Sequence, residues 1–322
     1  MAKLFNASRW TVAAALLVVG GPALQAAPRL DYFFPAGVPR GQTTEVTASG
    51  MFEHWPLSVS CDQPGVEVQA GQEKGRLSVA VNDECPAGVC WLRLHDATGA
   101  TQLRPLLIDT LPELQEAEPN DAPEKSQTVK LPNLINGTLS QRGDVDSYAI
   151  RLEQGQTLVA SLQANELIGS PMDAVLQIAD AGGFVVAQNH DARGLDPMIV
   201  LDVPEDGTYL VRAFAFPAKP NSTIDFAGAG DYVYRLTITT GGFVDHTLPL
   251  AVQRAATTPV RLVGWNIPED EAVFSVEVGE AADRDRVGVV PQNVAGRTEL
   301  PIADVPVVVE LENSTPAALQ KL

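Results

Sequence analysis

Apolar and polar residues alternate in short runs along most of the chain, and Gly or Pro interrupts them about every ten residues. Leu57-Ser-Val-Ser-Cys61, Arg76-Leu-Ser-Val-Ala-Val81 and Val89-Cys-Trp-Leu-Arg-Leu94 show the pattern early. A period of two places successive side chains on opposite faces of a strand, one face in a core and the other in water. The alternation is clearest in the middle of the chain. Tyr148, Ile150 and Leu152 share a face, as do Leu158, Ala160 and Leu162, then Leu176 and Ile178, then Tyr232, Tyr234, Leu236 and Ile238. No helix-length segment repeats at 3.6 residues. The expected fold class is all-β, built as modular antiparallel β-sandwiches, the middle one of about eight strands with its polar faces in water.

The last third repeats the first. Phe34-Pro-Ala-Gly-Val-Pro-Arg-Gly-Gln-Thr-Thr-Glu-Val46 aligns with Leu248-Pro-Leu-Ala-Val-Gln-Arg-Ala-Ala-Thr-Thr-Pro-Val260 at a constant spacing of 214 positions, which also pairs Gly50 with Gly264. Further on, Ile108/Ile302, Pro112/Pro306, Glu116/Glu310 and Glu118/Glu312 keep a spacing of 194. This reads as a copy of the first module with about twenty residues deleted, the mark of a modular array. Tyr32-Phe-Phe-Pro35 and the turn at Arg40-Gly41 resemble the entry of an immunoglobulin-like module. Leu111 to Pro119 is acidic, Pro-bounded and weakly patterned. It reads as a linker, solvated and mobile unless a bound ion orders it. Phe214 to Asp231 reads as a long loop with no assigned role.

Lys3 and Arg9, an apolar run from Thr11 to Gly20 and Leu24-Gln25-Ala26 form a signal peptide over residues 1–26. That run is shorter than the roughly 20 residues a spanning helix needs. Removing residues 1–26, with Lys3 and Arg9, takes the net charge from −18 to −20. Such an acidic chain argues against nucleic acid or an anionic membrane as partner, because both select clustered Lys and Arg. The expected location is secreted: periplasmic, cell-surface or extracellular.

Chemistry concentrates in two acidic clusters, Glu116-Ala-Glu118-Pro-Asn120-Asp121 and Gly143-Asp144-Val-Asp146-Ser-Tyr148, joined by the strand-like Leu134 to Leu139. Oxygen-rich sets of this kind suit a hard cation such as Ca²⁺, which takes about six to eight oxygen ligands. E-x-E-P-N-D, then G-D-x-D-x-Y, then Pro204-Glu-Asp-Gly207-Thr-Tyr209 resemble the bacterial pre-peptidase C-terminal domain. That domain is a secreted β-sandwich related to the collagen-binding domains of clostridial collagenases. The resemblance covers about residues 115–240. It implies Ca²⁺ held by Glu116, Glu118, Asn120, Asp121, Asp144 and Asp146. With it the architecture becomes 27–114 immunoglobulin-like, 115–240 pre-peptidase-type and jelly-roll-like, and 241–311 immunoglobulin-like, with 312–322 opening a further, truncated module.

Cys61, Cys85 and Cys90 permit a disulfide in an exported protein and leave one thiol over. Cys85 and Cys90 could close a small loop, or Cys61 and Cys90 could face one another across a sandwich core. The spacing, without a paired His, disfavours zinc. Arg142-Gly143-Asp144 spells an adhesion tripeptide, but its Gly and Asp already belong to the Asp-rich turn. Trp55, Trp91 and Trp265 read as core or module-joint residues. No G-x-S-x-G, H-E-x-x-H or Cys–His nucleophile signature is present. The expected function is non-catalytic: a secreted binding or spacer protein whose partner is an extracellular protein or polysaccharide. Its alternatives are an accessory part of a secreted peptidase, or an adhesin.

Overall fold

The computed structural model describes residues 26–217, 225–282, 285–289, 294–296, 298–309 and 320–321. Residues 1–25 of the signal peptide, nearly all of 312–322 and the repeat partners Glu310 and Glu312 lie outside the described residues, as do residues 218–224 of the long loop. Among the described residues, no helix is long and apolar enough to cross a membrane.

The chain is all-β, and its alternating segments pair into stacked sheets around separate cores. The first group comprises β1 (Arg29–Phe34), β2 (Gly37–Pro39), β3 (Thr43–Met51), β4 (Ser58–Cys61), β5 (Val66–Ala70), β6 (Arg76–Val81), β7 (Gly88–Asp96), β8 (Gly99–Ala100) and β9 (Arg104–Asp109). One sheet runs β1-β3-β6-β5 and the other β2-β9-β7-β4, with β8 beside β7. Leu30, Val46, Leu77 and Val79 from one sheet meet Cys90, Leu92, Leu94 and Leu106 from the other.

The middle group comprises β10 (Glu113–Gln115), β11 (Gln127–Thr128), β12 (Asn133–Thr138), β13 (Asp146–Leu152), β14 (Thr157–Gln163), β15 (Asp173–Asp180), β16 (Val185–Asn189), β17 (Met198–Asp202), β18 (Gly207–Phe216) and β19 (Val233–Thr239). Its sheets run β10-β12-β19-β14-β17 and β11-β13-β18-β15-β16. Every apolar residue that the alternation grouped here packs in or against one core.

The structure departs from the sequence reading in several places; Phe214 to Phe216 of the expected loop, for example, belong to β18. Among the described residues this group has ten strands rather than about eight, and β10 and β11 pair in parallel with β12 and β13. Both are too short and polar to show alternation; their backbones pair while their side chains carry no pattern. The acidic segment is therefore not a loose tether, since Glu113–Gln115 is an edge strand of the middle sheet. Leu111 is buried with Leu134, Val159 and Phe243. The closing strand β19, finally, is buried on both faces. The face expected in water carries Val233, which packs with Ala36 and Leu107 of the first group, and Arg235, which is wholly buried.

The third group comprises β20 (Phe243–Leu248), β21 (Val252–Gln253), β22 (Ala256–Trp265), β23 (Val273–Val278), β24 (Arg286–Val289) and β25 (Thr298–Ala303). Sheets β20-β22-β23 and β21-β25-β24 reproduce β1-β3-β6 and β2-β9-β7. The irregularity between Leu30 and Tyr32 recurs between Val244 and His246, each opposite a glycine, Gly50 and Gly264. Val38 pairs with Ile108 as Val252 pairs with Ile302, which joins both spacings seen in the sequence. Among the described residues, the edge strands β4 and β5 have no counterpart, and that accounts for most of the deletion.

Candidate metal centre

The acidic leader reaches the middle sandwich through β10. Gln115 lies beside Asn136, and the Glu116 N–H continues the ladder to the Asn136 carbonyl at 3.0 Å. The Glu116 carboxylate then accepts the Thr138 N–H at 2.8 Å. Gly137 makes this approach possible. A Cβ there would lie 2.2 Å from Tyr234 Cζ and 2.7 Å from Glu116 Oε2. Beyond it, Glu118 accepts the Asn120 N–H at 3.0 Å, an Asx-like local bond that curls the leader inward.

The Asp-rich turn supplies the facing wall. Gly143 adopts φ +88°, where a side chain is strained. The reversal brings Asp144 Oδ2 under the Ser140 N–H at 2.6 Å and the Ser140 hydroxyl at 3.1 Å. Asp146 opens β13 and accepts a short hydrogen bond from the Tyr234 hydroxyl, which also pairs with Tyr148. The two tyrosines belong to opposite sheets, so their hydroxyls join across the core directly behind Asp146.

Oxygens of Glu118, Asp144 and Asp146 lie within 4.8 Å of one another. Asn120 is wholly buried and neither atom of its amide has a partner; Asp144 Oδ1 and Asp146 Oδ1 are likewise buried and unpartnered. The Glu116 carboxylate lies near enough to Asp146 for the two charges to repel. Of the six residues expected to act together, Glu118, Asp144 and Asp146 bring oxygens to one place, with Glu116 near enough to interact with Asp146. Asp121 stands at the rim, exposed, with its carboxylate 3.4 Å from the Val145 N–H.

These carboxylates resist ionising together. Burial, and next the charge of Asp146, push the Glu116 carboxyl far above its ordinary range; burial also raises Asp146 and Glu118. A proton shared between Glu116 and Asp146 relieves the repulsion. A cation relieves it too, and gives the orphaned Asn120 and Asp oxygens a partner. All donors are oxygen, the set preferred by Ca²⁺ and Mg²⁺ rather than by thiophilic metals.

Of the adhesion tripeptide, Arg142 and Gly143 are exposed and only the Asp is withdrawn from solvent. Asp144 is buried and Arg142 pairs with Asp225 at 2.6 Å. Trp55 packs against the first core, and Trp265 packs against Phe243 in the cluster that joins the middle and third groups. Every described Trp and Tyr is buried or partly buried.

No protein-family model matches the chain. A stretch of 115 residues is 29% identical to a probable subtilase-type serine protease of Deinococcus radiodurans, covering 35% of this chain and 16% of that protein. The pre-peptidase C-terminal domain of a Bacillus anthracis collagenase aligns over its full length with 38% of this chain, at 14% identity and a TM-score of 0.28. The secreted serine protease VesC of Vibrio cholerae aligns over 47% of its length with 63% of this chain, at 11% identity and a TM-score of 0.23. The chain spans about a sixth of the length of its curated relative.

Sequence reasoning missed the supports of this site. Gly137 and Ser140 lie in or beside the strand-like segment between the clusters, with nothing to mark them. Tyr148 closes a motif without its role being evident, and Tyr234 lies 88 positions from Asp146. Only pairing of β12 with β19, which sets Gly137 opposite Tyr234, reveals that connection.

Proposed function

We propose that the protein is a secreted, non-catalytic modular β-protein whose middle domain binds Ca²⁺ between its acidic leader and the Asp144–Asp146 turn. Its modules would be those expected from the sequence, 27–114, 115–240 and 241–311, with the first boundary drawn back ahead of β10. The observation that carries this reading is the meeting of Glu118, Asp144 and Asp146 oxygens, together with buried, unpartnered polar atoms on Asn120, Asp144 and Asp146. Glu116, Glu118, Asn120, Asp144 and Asp146 would hold the ion, with Asp121 at its rim. Bound there, the cation would neutralise a cluster that otherwise needs a shared proton. It would also fasten the leader onto the middle sandwich.

The test is a thermal melt of the mature protein in EDTA, in millimolar Ca²⁺ and in Mg²⁺. Native-state binding raises stability by about 2.7 kcal/mol when ligand exceeds Kd a hundredfold. A Ca²⁺-selective rise is expected, and superimposable melts would remove the site.

The role fitted by these properties is spacing or binding outside the cell, with an extracellular protein or polysaccharide as partner. The stretch similar to a subtilase-type protease supports a second reading, an accessory part of a secreted peptidase. Labelling of the purified chain by a fluorophosphonate probe would reveal a serine nucleophile and overturn the non-catalytic assignment.

A further inference from the structure

The three cysteines surround one turn at the end of β4. Its register places Cys61 beside Leu92 of β7. Just past that pairing, the Cys61 sulfur lies 3.0 Å from the sulfur of Cys90 on the same neighbouring strand. The contact is thus within one sheet, not across the sandwich. Two further bonds hold it in place. Asp62 Oδ1 accepts the Trp91 N–H at 2.8 Å, and the Gln63 N–H points to the Cys61 sulfur at 3.4 Å. Cys85 is differently occupied. Its thiol faces the Pro64 and Pro86 carbonyls at 3.5 and 3.7 Å, and it is 1% exposed.

We propose that Cys61 and Cys90 are a disulfide-forming pair and that Cys85 is the odd, protected thiol. The oxidant is a small or protein disulfide. Cys61 is the one of the three that is not buried, and its hydrogen bond with Cys90 holds its thiol down to about 7, within reach of neutral pH. Its thiolate attacks one sulfur of the oxidant, forming a mixed disulfide and expelling the first thiolate. The Cys90 thiol then loses its proton and attacks the Cys61 sulfur. The second half of the oxidant leaves as a thiol; two protein thiols are oxidised and one external disulfide is reduced. Cys85 is buried with its thiol on the Pro64 and Pro86 carbonyls rather than on another sulfur, so it takes no part. The bond would link neighbouring strands across 29 positions of chain and remove freedom from the unfolded ensemble. None of this depends on the calcium reading.

The test treats the folded mature protein with glutathione disulfide, alkylates it in denaturant without reductant, and maps its peptides. The expected result is a protein lighter by two hydrogen atoms, one alkylated cysteine at Cys85, and a peptide joining Cys61 to Cys90. Cys85→Ser should lose the same two hydrogens and leave no alkylatable thiol. Three alkylated cysteines, a persistent glutathione adduct at Cys61, or a linked peptide containing Cys85 would each overturn the assignment.

Discussion

Asn120 sits wholly buried with both atoms of its amide unpartnered. An orphaned buried polar group costs about 1–3 kcal/mol, which disappears when the group is deleted. Asn120→Ala should therefore melt in EDTA at or above the parent temperature. In millimolar Ca²⁺ it should lose much of the calcium-dependent rise. The opposite signs separate a ligand from a residue that merely packs, because a packing residue would lower both melts alike. A variant that loses stability in EDTA and keeps the full Ca²⁺ increment would exclude Asn120 from the site. Gly137 matters at this scale for space rather than for conformation, since its Cβ position is already claimed by Tyr234 and Glu116.

At the scale of elements, β10 ties the first and middle sandwiches together. Its Glu113 forms a short ion pair with buried Arg235 of β19, whose guanidinium also donates to the Leu107 carbonyl of β9 at 3.2 Å. Asn136 closes the set, donating to Glu113 at 3.0 Å and accepting the Gly37 N–H at 3.2 Å. Removing one member of a buried ion pair leaves an uncompensated charge and costs about 3–5 kcal/mol. Arg235→Met should lose stability on that scale, and Arg235→Met with Glu113→Gln should recover part of it. If each of the two substitutions lowers the melt independently, the pair is not the linchpin. Much of this element scale was legible beforehand. A strand with one face in a core writes its period of two into the sequence, as Tyr148 to Leu152 and Tyr232 to Ile238 did. What covers the other face is set by a distant module, so the burial of Arg235 left no local trace. The acidic members of the site were legible from their motifs, whereas its tyrosine and glycine supports depended on strand pairing.

Over the whole molecule, the repeat conserves geometry while discarding strands. A Cβ on Gly50 would lie 2.0 Å from the Arg29 carbonyl, and one on Gly264 would lie 1.9 Å from that of Phe243. The same close strand approach thus occurs in both copies. The third copy lacks β4 and β5 equivalents among the described residues, and only eight of those residues form its buried core against sixteen in the first. Burying less apolar surface leaves less to offset chain entropy, so this copy should open at lower free energy than the other two. Native-state hydrogen exchange resolved by peptide can check that order. It also bears on where the middle unit begins. β10 pairs with β12 and the Glu116 N–H bonds to the Asn136 carbonyl, so peptides there should exchange with β12 and β19 rather than with β9. Exchange of 111–118 in step with the first sandwich would return this segment to that module. Exchange at the unprotected rate would make it a tether, and Ca²⁺ would then have to fasten a strand that is loose without it.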